Sequence, residues 1–140
     1  MFIDKFKLDG KIALITGGTR GIGLSIAHAL GEVGAKLVLV NRTDPVGGVQ
    51  ELKDAGYDVS FFEGDLLDRS VPQQTVDFTL EKHGRVDILV NNAGVAQHGD
   101  TEKFNDDLLD KIMGLNVDAV FRMCRSAIPP MKKQGEGVIL

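Results

Sequence analysis

The sequence predicts an α/β protein, a doubly wound parallel sheet with helices on both faces. Two observations predict it. Short, largely apolar runs at Ile12-Ala13-Leu14-Ile15, 36–40, 58–62 and 86–90 alternate with segments of helical periodicity. Strands of that composition are buried on both faces, as the strands of a parallel sheet are. In addition, Thr16-Gly17-Gly18-Thr19-Arg20-Gly21-Ile22-Gly23 stands between the first run and a helical Leu24-Ser25-Ile26-Ala27-His28-Ala29-Leu30. Right-handed crossovers between successive strands then give the doubly wound order.

After the first strand, the glycine loop aims backbone N–H groups and a helix N-terminus at one point, which attracts phosphate. Gly17 permits the tight exit from the strand. Gly21 lets backbone approach a pyrophosphate, and Gly23 lets the helix pack closely on the sheet. Lys36-Leu37-Val38-Leu39-Val40 is the second strand. Asp44 and Pro45 are the N-cap and first residue of a weak helix, since Gly47 and Gly48 each cost about 1 kcal/mol against Ala. Gly56 ends that helix, and Asp58-Val59-Ser60-Phe61-Phe62 is the third strand. Ser70-Val71-Pro72-Gln73 has the form of a capping box, and Gly84 closes the helix it opens. Val86-Asp87-Ile88-Leu89-Val90 is the fourth strand. A long helix is expected from about Asn105 toward Lys133. Its apolar stripe is Leu109, Ile112, Met113, Val117, Val120, Cys124, Ile128 and Met131. Pro129-Pro130 should kink or interrupt its last turns. Gly137-Val138-Ile139-Leu140 starts a fifth strand, inside which the chain stops.

The 140 residues make one domain with room for a core. A net charge of −4 argues against a nucleic-acid partner. No apolar run approaches the roughly 18 residues of a membrane span. The N-terminal Met1-Phe2-Ile3-Asp4-Lys5-Phe6-Lys7 lacks a signal-peptide core. Cys124 is the single cysteine, so no intrachain disulfide forms and a reducing, cytoplasmic setting is expected. A buried structural thiol is the simpler role for it than a nucleophile. His28, His83 and His98 have no metal-ligand spacing, and no metal site is assigned. His83 is expected to contact a helix C-terminus.

The loop spacing G-x-x-x-G-x-G differs from the common G-x-G-x-x-G fingerprint. It resembles the loop of the short-chain dehydrogenase/reductase family. Three further segments match that family in order. They are Asp65-Leu66 after the third strand, Asn91-Asn92-Ala93-Gly94 after the fourth, and Leu115-Asn116-Val117 in the long helix. The resemblance runs nearly end to end. It implies a Rossmann-type sheet that binds NADP or NAD. Gly17, Thr19, Arg20, Gly21, Ile22 and Gly23 would hold the pyrophosphate, with Asn41 and Arg42 at the adenosine ribose. Asp65 would meet the adenine amino group, the Leu66 backbone would line the base pocket, and Asn92, Ala93 and Gly94 would pack on the ribose. Local residues alone leave Asp65 equally readable as a turn residue and Asn91-Asn92 as a strand-ending turn. Asn116 is implied to be catalytic, its carbonyl holding a water of a proton relay; the residues alone allow a helix-surface amide.

At the tip of the second strand, Val40-Asn41-Arg42 carries no carboxylate. A carboxylate there bonds a ribose 2′-hydroxyl, whereas arginines attract a 2′-phosphate. NADP is therefore expected ahead of NAD. Asp44 stands close enough to reverse the local sign, and two solvated surface arginines are the plainer alternative.

The family's Ser and Tyr-x-x-x-Lys lie beyond the fifth strand. The only tyrosine here, Tyr57, is followed four residues on by Phe61 and cannot supply the pair. The expectation is the N-terminal, dinucleotide-binding part of a longer single-domain reductase. Such an enzyme interconverts a small-molecule carbonyl and a secondary alcohol, of the sugar/polyol or 3-oxoacyl thioester class, and forms a homodimer or homotetramer. Residues 1–140 alone are expected to be inactive. A non-catalytic dinucleotide-binding module is the alternative.

Overall fold

A computed structural model describes residues 1–140. Its five strands are β1 (Ile12–Thr16), β2 (Lys36–Asn41), β3 (Val59–Glu63), β4 (Ile88–Val90) and β5 (Val138–Ile139). They form one sheet in the order β3-β2-β1-β4-β5, and every pair is parallel. Ala13 lies beside both Leu37 and Ile88, so β1 is central. The order reverses on either side of β1, which opens a crevice at the carboxyl ends of β1 and β4.

Side chains of a strand alternate between faces, and the core divides accordingly. Ile12, Leu14, Val38, Val40 and Leu89 pack on one side, against Val76 of α3 (Val71–His83) and Met123, Ala127 and Met131 of α5 (Ala119–Gln134). Ala13, Ile15, Leu37, Leu39 and Val90 face the other way. There they meet Ala27 of α1 (Gly21–Glu32) and Leu52 of α2 (Gly48–Asp54). No helix is long and apolar enough to cross a membrane.

Several local expectations change. α2 starts at Gly48 rather than Pro45. Asp44 still caps it, from outside, by accepting from the N–H of Gly48 at 2.8 Å and of Val49 at 3.2 Å. The capping box at Ser70 does not form. Asp68 captures both the Ser70 N–H and hydroxyl, at 2.9 and 2.7 Å, because a nearby carboxylate is the stronger acceptor. Those two donors also hold the Asp68 carboxyl below its ordinary pKa. His83 ends α3, at its helix C-terminus as expected, and burial lowers its pKa and favours the neutral ring.

The long helix is interrupted earlier than its prolines suggest. α4 (Asp106–Met113), capped by the Asn105 side chain on the Leu108 N–H, leads into a single π turn at Gly114–Asp118, and α5 follows. Pro129 and Pro130 lie within α5, which continues to Gln134 and stops at Gly135, φ 83°. Proline's fixed φ is itself helical, and the buried Ala127 and Met131 hold that segment to the core. The expected stripe holds only in part: Met131 is buried, and Ile112, Val120 and Cys124 are half-buried. Leu109, Met113, Val117 and Ile128 are exposed, whereas Ala119, Met123, Ser126, Ala127 and Met131 are buried. Small side chains won the core face because they let α5 approach α3 and the sheet.

The amino ends of β1, β4 and β5 are tied by charge. Asp87, 4% exposed, accepts from the Ile12 N–H at 2.9 Å and from the Arg85 guanidinium. Glu136, just before β5, bridges Lys11 and Arg85. Burial pushes the Asp87 pKa up, but Arg85, the Ile12 N–H and Lys11 outweigh it and the net shift is downward. Lys11 and Arg85 lower that of Glu136.

Candidate dinucleotide site

Thr16 joins the two strands that open the crevice. Its hydroxyl donates to the Val90 carbonyl at 3.3 Å and accepts from the N–H groups of Asn92 and Ala93 at 3.0 and 2.9 Å. The Asn92 amide reaches back, donating to the carbonyls of Thr16 and Gly17 at 3.1 and 3.0 Å. Asn92 therefore closes the glycine loop onto the end of β4 with backbone acceptors the sheet leaves free.

Gly17 has φ +67°, a left-handed conformation that glycine adopts without strain. At Gly23 a Cβ would lie 2.1 Å from the Gly17 carbonyl oxygen and 2.5 Å from Asn92 Nδ2. Gly23 thus serves close packing of α1 on its own loop, more than on the sheet. A Cβ at Gly21 would meet nothing within 4 Å. It would project into open space beside the first turn of α1.

A cavity of about 450 Å³ opens here. Eleven of the residues singled out from the sequence line it: Gly17, Arg20, Gly21, Ile22, Asn41, Arg42, Asp65, Leu66, Asn92, Ala93 and Gly94. Thr19 and Gly23 are buried behind it. The Leu66 side chain, 5% exposed, belongs to the core, so its backbone is the part available to the cavity. One Asp65 oxygen accepts from the Leu67 N–H at 3.0 Å, a turn contact that orients the carboxylate.

Lys111 and Leu115, one helical turn apart, close the far wall together with Val95 and Leu67. Sequence reasoning passed over them, although their spacing of four and their place before Asn116 put them on one helix face. Asn116 sits in the π turn, outside the lining. Its side chain brackets the Val95 backbone, accepting from N–H at 2.8 Å and donating to the carbonyl at 2.7 Å. Cys124 is half-buried and takes a contact from Asn91 Nδ2 at 3.6 Å. Tyr57 packs against Gly31 and His28, away from the cavity.

Arg20, Arg42 and Lys111 rim the cavity, and none forms an ion pair. The buried Asn41 Oδ1 on its wall has no hydrogen-bond partner. Unpaired cations, an orphaned acceptor and an open helix N-terminus fit a polyanionic ligand that carries hydroxyl or amine donors.

The fold is a Rossmann-type parallel α/β sheet with a polar crevice at its carboxyl edge. Residues 11–140 match the short chain dehydrogenase family, and the chain belongs to it. It is 39% identical over 132 residues to the NADP-dependent (R)-specific alcohol dehydrogenase of Lentilactobacillus kefiri, covering 94% of this chain and 52% of that protein. It is 35% identical to the 2-dehydro-3-deoxy-D-gluconate 5-dehydrogenase of Dickeya dadantii, over 98% of this chain and 54% of that one. The crystal structure of a gluconate 5-dehydrogenase from Burkholderia cenocepacia, in complex with NADP and tartrate, matches with a TM-score of 0.90 and 33% identity. That match covers 99% of this chain and 55% of the other. The chain thus spans about half the length of these relatives. Both named relatives are dehydrogenases.

Proposed function

We propose that the whole protein is an NADP-preferring oxidoreductase that interconverts a carbonyl and a secondary alcohol, and that residues 1–140 supply its dinucleotide half. One observation carries the preference. Arg20 and Arg42 stand unpaired on the cavity edge, while the nearby acid, Asp44, has both oxygens engaged by Gly48 and Val49. A 2′-phosphate there meets two guanidinium donors and no free carboxylate. The Lentilactobacillus relative's NADP dependence and the NADP in the Burkholderia structure support this reading.

The chain's own residues take definite parts. Gly17, Gly21 and Ile22, with the first turn of α1, would bind the pyrophosphate through backbone N–H groups. Thr19 and Gly23 would support that turn from behind. Asp65 would accept from the adenine amino group, with the Leu66 backbone beside the base. Asn92, Ala93 and Gly94 would pack on the nicotinamide-side ribose. Asn116 would hold the Val95 segment through its side chain, leaving its carbonyl for a relay water. When bound, the nicotinamide supplies the hydride chemistry. The Ser and Tyr-x-x-x-Lys are expected in the part of the whole protein that follows Leu140. Substrates are expected among sugars and polyols or 3-oxoacyl thioesters, in a cytoplasmic homodimer or homotetramer without nucleic-acid or membrane partners.

The test is calorimetric titration of the whole protein with NADP and NAD. Wild type should bind NADP at least about tenfold tighter, and Arg42→Asp should reverse the order by exchanging attraction for repulsion. An NAD-preferring wild type refutes the preference. A stop codon directly after Leu140 would favour the non-catalytic module instead.

A further inference from the structure

Arg42 and Arg20 stand on different connections, one leaving β2 and one leaving β1. A closed ring of contacts joins those connections behind the cavity. Thr19, fully buried, donates its hydroxyl to the Thr43 carbonyl at 3.2 Å. Asp44, the next residue, accepts from the Gly48 and Val49 N–H groups at 2.8 and 3.2 Å. Gly48 returns to Thr19: a Cβ on it would lie 2.1 Å from the Thr19 carbonyl oxygen and 2.8 Å from its carbon. Gly47, at φ +70°, makes the turn that brings Gly48 there. The glycine pair that weakens α2 as a helix is what lets its first turn press against the glycine loop.

We infer that Asp44 is a positioning residue that determines dinucleotide specificity, acting through its hydrogen bonds and not through its charge. This rests on the NADP reading above. The ring holds Thr43 against Thr19, and so holds Arg42 beside Arg20. With Asp44 removed, the β2–α2 connection loses its cap, and a 2′-phosphate must order the Arg42 arm as it binds. NAD, lacking that phosphate, needs the arm less.

A purely electrostatic role for Asp44 predicts the opposite sign. A carboxylate near the ribose would repel a 2′-phosphate, so any neutral replacement would tighten NADP. Asp44→Asn separates the two roles, because it removes the charge and keeps one acceptor, enough for the shorter bond from Gly48.

The experiment measures NADP and NAD affinities of the whole protein by calorimetry for wild type, Asp44→Asn and Asp44→Ala, with hydrogen exchange of residues 42–49. Losing a cap predicts about a tenfold weaker NADP affinity for Asp44→Ala, with NAD changed less than about threefold. Asp44→Asn should stay within about threefold of wild type for both ligands. Exchange at Gly48 and Val49 should accelerate in the Ala variant, whereas the Asn variant should keep Gly48 near wild type and release only Val49. Gly47→Ala strains the left-handed turn that carries Gly48 to Thr19, at a residue outside the cavity lining, and should weaken NADP selectively, should Asp44→Ala not fold. Tighter NADP binding by either Asp44 variant overturns the inference, as does equal loss of both dinucleotides or unchanged exchange. A wild type that binds both dinucleotides equally refutes the NADP reading by itself. The ring is then judged on whether Ala, against Asn, weakens either ligand.

Discussion

Gly23→Ala sets two known effects against each other. Inside a helix, Ala is favoured over Gly by about 1 kcal/mol. Here the new methyl would fall 2.1 Å from the Gly17 carbonyl oxygen, 2.8 Å from its carbon and 2.5 Å from Asn92 Nδ2. The Gly17 atoms are backbone, and Asn92 Nδ2, a side-chain end, is pinned by its two hydrogen bonds. The loop must retreat by roughly 1 Å, and overpacking of that kind costs about 1–3 kcal/mol. The retreat also breaks the two Asn92 hydrogen bonds, to Thr16 O at 3.1 Å and Gly17 O at 3.0 Å. Each contributes about 1 kcal/mol. The clash therefore outweighs the propensity, with a net loss of about 2–4 kcal/mol. In a domain of this size that lowers Tm by about 10 °C. NADP affinity should fall at least about tenfold, since the loop amides move together. Gly21→Val is the contrasting variant. Its Cβ meets nothing within 4 Å, but a φ of +56° strains a β-branched residue, so it should lose stability through the backbone alone, leave the Gly17–Asn92 contacts intact, and weaken binding where the pyrophosphate would lie. Thermal melts and calorimetric titrations of the three proteins decide it. A Gly23→Ala variant as stable as wild type would refute the claim that the Gly17 carbonyl is held in place.

Three further outcomes are expected. Asn116→Ala, in the whole protein, should lower turnover while leaving NADP affinity nearly unchanged, because its partner Val95 lies at the cavity's edge while Asn116 lies outside the lining; normal turnover at normal Tm would leave Asn116 a helix-surface amide. The Asp87–Arg85–Lys11–Glu136 cluster should confer acid sensitivity. Both carboxyls are held below their ordinary pKa, so their stabilisation is complete above the ordinary carboxylate range and lost as pH falls through the depressed values. Melts between about pH 6 and 2 should show a fall in Tm that flattens in Asp87→Asn, and parallel curves would exclude the cluster as the cause. Finally, residues 1–140 on their own should oxidise no NADPH with a carbonyl panel and should associate through the exposed Met113, Val117 and Phe121, the last 62% exposed. Light scattering should show Phe121→Asp to be better dispersed; a dispersed wild-type monomer with turnover would contradict both parts.

The sequence by itself determined the architecture and most of the cavity. Strand–loop–helix order and apolar strands dictate a parallel sheet whose carboxyl edge collects Gly17–Ile22, Asn41–Arg42, Asp65–Leu66 and Asn92–Gly94, because each segment immediately follows its strand. Such placement is topological and needs no side-chain detail. Only the tertiary structure decided matters of competition between neighbours. Asp68 took the Ser70 N–H that the Gln73 side chain would accept in the expected capping box, because both acceptors were local and the charged one was stronger. On α5 the core face shifted to Ala119, Met123, Ser126 and Ala127, and close packing favoured its small residues. Lys111 and Leu115 reached the cavity from a helix distant in sequence. On sequence grounds Asp44 is a negative charge at the ribose corner; the fold turned it onto the Gly48 and Val49 amides. Those outcomes depend on distances of an ångström between segments far apart in the chain, and periodicity and spacing carry no information at that scale.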